Sequence, residues 1–178
     1  MLASRITGHL LLAKGFDAKV SEVHGMSQRG GSVTTYVKYA ESENEKVHSP
    51  IVDKGEADII VAFELMEAAR WTEYLKDGGI MIINTQRIEP MPVITGAVKY
   101  NEDIIDKIKP LGITVLDLNA LDLAEKAGNA KSVNVVMMGA LSNKLDFEKE
   151  LWEEAVKACA PKKTLDVNLK AFELGRNA

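Results

Sequence analysis

Apolar residues recur at helical spacing at the start of the chain. Leu2, Ile6, Leu10 and Ala13 share one stripe and Gly15 follows as a stop, so a helix is predicted over 1–13. Phe16, Ala18 and Val20 then alternate with polar residues, which predicts a strand, and Gly25 to Gly31 break the pattern. Val33, Thr35, Val37 and Tyr39 alternate again as a second strand, and Glu41 to Glu45 read as a solvated turn with a short return near Val47. The rhythm then changes. Ile59 to Phe63 is a continuous apolar run, the mark of a strand covered on both faces. Glu64 to Leu75 has helical spacing, Gly78-Gly79 ends that unit, and Ile80 to Ile83 is a second buried strand. Helices are expected over 101–108, 120–126, 134–142, 147–160 and about 165–174, with a strand over 113–116. Strand and helix alternate through the middle, which predicts an α/β fold with a mostly parallel sheet. The 33–47 hairpin would add an antiparallel part. No repeat, linker or low-complexity stretch interrupts the chain, so residues 1–178 are expected to form one domain.

Composition narrows the chemistry. The 178 residues are 46% hydrophobic and 27% charged, as in ordinary globular domains. A net charge of −4 gives no general electrostatic reason to bind nucleic acid or an anionic membrane. No apolar run approaches the ~20 residues that span a bilayer, and no leader pattern is seen, so a cytoplasmic location is expected. Cys159 is the one cysteine, so this chain alone can build neither an intrachain disulfide nor a thiolate-ligated cluster. It falls within a predicted helix and reads as a buried, inert thiol. His9, His24 and His48 are far apart in sequence and form no helical ligand pair. Trp71 and Trp152 lie on predicted helices and read as core or subunit contacts.

The informative stretch is His24-Gly25-Met26-Ser27-Gln28-Arg29-Gly30-Gly31-Ser32. Its three glycines let the backbone take positive φ and let another group approach closely. Ser27, Gln28 and Arg29 bring hydroxyl, amide and guanidinium donors, and Arg29 is a fixed cation suited to a carboxylate or phosphate. The loop reads either as an anion-recognising or interface element, or as a tight turn whose polar side chains cap its own backbone.

The eight residues His24 to Gly31 resemble the signature of the beta subunits of indolepyruvate:ferredoxin oxidoreductase. The related gamma subunits and domains of other 2-oxoacid:ferredoxin oxidoreductases have a looser version that keeps the Arg-Gly-Gly. Ala57 to Glu64 resembles that family's central strand running into a helix, Asn84-Thr85 follows the next strand, and Asn134 to Asn143 resembles its late Gly-Ala-Leu helix. The resemblance implies a three-layer α/β/α fold. It implies a complex that oxidatively decarboxylates an arylpyruvate to an acyl-coenzyme A and passes electrons to ferredoxin. Thiamine diphosphate, Mg²⁺ and 4Fe-4S clusters would belong to a large partner subunit, with coenzyme A as co-substrate and no cofactor held by this chain. The sequence agrees in having one cysteine and no Gly-Asp-Gly thiamine motif.

By the same resemblance, His24, Gly25, Met26, Ser27, Gln28, Arg29, Gly30 and Gly31 would face substrate, coenzyme A or the partner. Arg29 and His24 are the candidates for catalysis, with a salt bridge and a strand-end hydrogen bond as their alternatives. Met26 reads as a pocket wall or as interface packing. Glu64, at the carboxyl end of a central strand, is either a ligand-site acid or a first-turn acid favoured by the helix dipole. The family opens with a strand and a Gly-x-Gly-Gly-Gln-Gly turn, whereas this sequence opens inside the following helix. The expectation is that Met1 is an internal methionine of a longer chain, whose added strand would lie between those near Val20 and Ile59. The rival class is a stand-alone α/β module that binds a small carboxylate through the 26–31 loop. A neighbouring gene for a thiamine-dependent large subunit discriminates the two.

Overall fold

The computed structural model of the protein describes residues 2–25, 32–42 and 44–178. A helix, α1 (Leu2–Ala13), buries Ile6, Leu10 and Leu11. It leads into β1 (Asp17–His24), which pairs antiparallel with β2 (Val33–Ala40) in a continuous register from Asp17↔Ala40 to His24↔Val33. This corrects the sequence reading, in which β2 paired with a return near Val47. Two strands of equal length match along their whole course. Val47 instead donates its backbone N–H to the Asp17 carboxylate at 2.8 Å, and Pro50 follows with no N–H to give a ladder. Among the described residues β1 is hydrogen-bonded only to β2, in a sheet separate from the parallel one.

The parallel sheet has the order β3-β4-β5, with β3 Ala57–Ala62, β4 Leu75–Asn84 and β5 Thr114–Leu118. Between β3 and β4 lie α2 (Leu65–Trp71) and a 3-10 turn over Thr72–Tyr74, so the helix predicted to reach Leu75 stops earlier. β4 in turn begins before the Gly78-Gly79 pair rather than after it. Its register runs Ala57↔Leu75 and then Ile59↔Ile80, so residues 76–79 bulge out opposite Asp58. Gly78 has φ +72°, and a Cβ on Gly79 would stand 2.7 Å from the Leu75 side chain. The polar Lys76-Asp77 and the two glycines look like a terminator in sequence and are a bulge in space.

Strand alternation distributes the core over both sheet faces. Ile80 and Ile82 of β4, with Ile59 and Val61 of β3 and Leu116 and Leu118 of β5, face one cluster. That cluster is completed by α1, α5 (Ala120–Ala127), α6 (Val133–Ser142), α7 (Lys149–Cys159) and α8 (Leu165–Arg176). Met81 and Ile83, with Ile60, Ala62 and Val115, face α2 and α4 (Ile104–Ile108) on the other side. Helices on both faces of a parallel sheet give the three-layer α/β/α arrangement. Trp152 is fully buried between Phe147 and Phe172, with ring centroids 6.4 and 6.2 Å away. α6 and α8 cross where Gly139 meets Gly175: a Cβ on Gly139 would lie 2.1 Å from the Phe172 carbonyl oxygen, and one on Gly175 would lie 1.9 Å from that of Val136. The two glycines let the helix backbones touch. Cys159 is buried, and burial pushes its thiol pKa up.

Candidate functional site

The hairpin of β1 and β2 ends at a pinned neck. Gly25 donates its backbone N–H to the Ser32 carbonyl at 3.0 Å, directly after the His24↔Val33 pair. Met26, Ser27, Gln28, Arg29, Gly30 and Gly31 lie outside the described residues. At the neck His24 has a side chain 56% exposed, with Nε2 3.7 Å from Glu22 Oε2. Ser32 donates its hydroxyl to Glu67 Oε2 at 3.1 Å. The same carboxylate receives the Trp71 indole N–H at 3.2 Å and, through its other oxygen, the Arg70 guanidinium. One acid on α2 thus holds the exit of the loop against the parallel-sheet unit. Two shallow clefts, lined in part by Lys14, Phe16, Glu41, Lys46 and His48, lie at the other end of the hairpin, where Asp17 pairs with Ala40.

The second part of the site is the carboxyl edge of the parallel sheet, where open α/β folds collect functional groups. Glu64 follows β3 with extended backbone and caps α2, its Oε2 accepting the Glu67 N–H at 3.0 Å. It is also 8% exposed, and its Oε1 accepts the Ile88 N–H at 3.1 Å and the Tyr100 hydroxyl at 2.5 Å. The buried carboxylate therefore has its charge met by three donors. Burial, and then the hydrogen bond to Glu64, push the Tyr100 hydroxyl far above its ordinary range. Arg87 stacks over the Tyr100 ring at 5.6 Å and pairs with Glu102 at 3.3 Å.

Fully buried Asn84, at the end of β4, knits the edge together. Its amide donates to the Phe63 carbonyl at 3.0 Å and to Gln86 Oε1 at 3.3 Å, and its oxygen accepts the Ala120 N–H at the start of α5 at 3.1 Å. The Leu65 N–H reaches the Gln86 carbonyl at 3.0 Å.

The structure therefore ties Ser32 at the neck and the strand-end acid Glu64 to the first turn of α2, while Gly25 is linked to it through Ser32, and His24 lies near Glu22 of its own strand. Sequence reasoning singled out Glu64 but missed Glu67, Gln86 and Tyr100. A buried Asn directly after an apolar strand is a readable signal for Asn84, whereas Tyr100 is 36 residues from Glu64 and carries none. Among the described residues no group of three or more His, Cys, Asp and Glu side chains is arranged to hold a metal ion. With Cys159 its one thiol, the chain does not have the donor set of an iron–sulfur cluster. No helix of the described residues is long and apolar enough to cross a membrane.

Comparison with known proteins bears on this arrangement. The pyruvate ferredoxin/flavodoxin oxidoreductase family matches residues 1–178. The indolepyruvate oxidoreductase subunit IorB of Thermococcus kodakarensis is 39% identical, over 100% of this chain and 89% of its own length. The keto/oxoacid ferredoxin oxidoreductase gamma subunit of Geobacter sulfurreducens shares the fold with a TM-score of 0.71 at 22% identity, over 99% of this chain and 88% of that one. The 2-oxoglutarate:ferredoxin oxidoreductase of Magnetococcus marinus, solved with 2-oxoglutarate, coenzyme A and succinyl-CoA, contains the fold at a TM-score of 0.71 and 16% identity. There it covers 98% of this chain but 28% of that polypeptide. With a match along its whole length and a relative at 39% identity, the chain belongs to the pyruvate ferredoxin/flavodoxin oxidoreductase family.

Proposed function

We propose that this chain is the small subunit of an indolepyruvate:ferredoxin oxidoreductase and is active only in complex with a large subunit. The observation that carries the reading is the 39% identity to an IorB subunit along the entire chain. The complex oxidatively decarboxylates an arylpyruvate, joins the acyl group to coenzyme A with loss of CO2, and passes two electrons to ferredoxin. The donor set of this chain does not fit iron–sulfur clusters, so the clusters, with thiamine diphosphate and Mg²⁺, are assigned to the large subunit. The role of this chain is to present the His24–Gly31 loop. Arg29, with Gln28 and Ser27, supplies fixed donors to a carboxylate or phosphate of substrate or coenzyme A. Met26, Gly25, Gly30 and Gly31 allow close approach, and His24 stands exposed at the neck as the candidate catalytic side chain. Glu64 serves the site by position, because its carboxylate is already engaged by three donors.

The test is substrate choice by the assembled complex. The chain is co-purified with the thiamine-dependent large subunit of the same genome, and viologen reduction is followed with coenzyme A and one 2-oxoacid at a time. Indolepyruvate and phenylpyruvate should give kcat/KM at least about tenfold above pyruvate and 2-oxoglutarate, a difference of about 1.4 kcal/mol. Preference for pyruvate or 2-oxoglutarate would keep the complex and refute the arylpyruvate assignment.

A further inference from the structure

The segment that joins β4 to α4 leaves an unusual amount of apolar surface in water. Ile88, Met91, Ile94 and Val98 are 60, 66, 61 and 54% exposed. They fall within eleven residues; of the other exposed large apolar side chains among the described residues, Val20, Val23 and Val33 share the β1–β2 hairpin and Leu12, Ile51 and Leu111 stand apart in the sequence. The segment is shaped, not loose. Met91–Ile94 forms one helical turn, α3, entered from Pro90, which places Met91 and Ile94 on one face. Gly96, with φ +77°, turns the chain back so that the Val98 N–H reaches the Pro92 carbonyl at 3.1 Å. Both ends are clamped on Glu64, through the Ile88 N–H and the Tyr100 hydroxyl. A buried carboxylate thus holds an apolar arm out into solvent. The isolated chain gains no hydrophobic stabilisation from that exposure, and association would remove it from water.

We infer that this arm, residues 86–100, is a docking surface for the large subunit and forms one face with the neck of the His24–Gly31 loop. The inference rests on the small-subunit reading above and adds the surface to it. Three observations support the choice of occupant. The first is continuity: Glu64 clamps the arm and Glu67, in the first turn of the helix that Glu64 caps, holds Ser32 at the loop exit, while Val23 and Val33, 55 and 40% exposed, flank the same neck. The second is that the same fold makes up 28% of the Magnetococcus polypeptide, where it is joined to a much larger body. The third is size. The four arm residues expose on the order of 450 Å², in the range of the largest patches on monomers, and a partner needs about 800 Å² per side, which the neck helps to supply. Arg87 and Glu102 beside the arm pair with each other, whereas Glu89 and Lys99 within it are exposed, so the apolar contact is separated from the charged one by measuring binding at two salt concentrations.

The experiment measures binding of this chain to the separately purified large subunit by calorimetry at low and high salt. The chain is wild type, carries Met91→Asp with Ile94→Asp, or carries Leu12→Asp, a control at an equally exposed apolar position on α1. The arm variant should keep the circular dichroism and melting temperature of wild type, since both side chains are in water. It should bind at least about tenfold more weakly, as for loss of buried apolar anchors, while Leu12→Asp binds as wild type. An arm variant that folds and binds within twofold of wild type overturns the docking surface and leaves the small-subunit reading intact. Loss of self-association in the arm variant with unchanged binding to the large subunit also overturns it, because the occupant is then a second copy. Failure of the wild-type chain to bind the large subunit removes the small-subunit reading, and the docking surface with it.

Discussion

Glu64 shows how much a single residue can be asked to do. It caps α2, holds the backbone of Ile88 and holds Tyr100, and the last contact is open to test. Tyr100→Phe keeps the ring and Arg87 stacked on it but removes the hydroxyl. It should cost about 1 to 2 kcal/mol, the low end for a hydrogen bond to a charged group because the site is partly exposed. The pH dependence has a definite sign. The Tyr100 hydroxyl pKa is raised on folding, so its stabilisation is fully present below the unfolded value of about 10 and is lost as pH rises through the folded value. Urea unfolding from pH 8 to 11 should show the gap between wild type and Tyr100→Phe narrowing at the alkaline end; a gap that widens would contradict the assignment. Arg29 is the residue to test on the loop. Arg29→Lys keeps the charge and loses the planar fork, so the complex should assemble while kcat/KM falls by roughly tenfold or more. Unchanged kinetics would remove Arg29 from the site, and failure to assemble would move it to the interface. Glu64 was legible in sequence as an acid at a strand end. Its clamp on Tyr100 was not, because no local pattern links residues so far apart in the chain.

At the scale of elements, the close crossing of α6 and α8 makes the clearest prediction. Gly139→Ala places a methyl 2.1 Å from the Phe172 carbonyl oxygen, and Gly175→Ala places one 1.9 Å from that of Val136. Both obstacles are backbone, so the helices must move apart. Each variant should lose about 2 to 3 kcal/mol by denaturant unfolding, the upper part of the usual overpacking range. Gly112→Ala is no control, since φ there is +75°; Gly8→Ala is, because its Cβ would find only Val20 at 3.7 Å. A loss below 0.5 kcal/mol at both crossing positions would mean that the helices are not in contact there. The helices were largely legible from their apolar periodicity, as were the buried cores of β3, β4 and β5. Strand pairing was less so. The partner of β2 depended on matching lengths across the loop, and the true start of β4 was hidden by a bulge whose polar residues and glycines imitate a turn.

At the scale of the molecule, the three layers place hydrogen-bonded polar groups at the carboxyl edge of the parallel sheet and at the neck of the hairpin. The fold class was readable from the alternation of strand and helix and from the His24–Gly31 motif. The arm over 86–100 was passed over, because Pro90, Pro92 and Gly96 punctuate it and a periodicity reading records it as loop. An exposed apolar arm fits the proposed reading of a subunit that completes a larger catalyst. The most direct test is turnover by separated and recombined subunits, with indolepyruvate, coenzyme A, thiamine diphosphate and a viologen acceptor. Neither component alone should sustain reduction, and mixing should restore it with saturation at a fixed ratio of the two subunits. Turnover by this chain alone, or turnover by the large subunit that adding this chain leaves unchanged, would contradict the account.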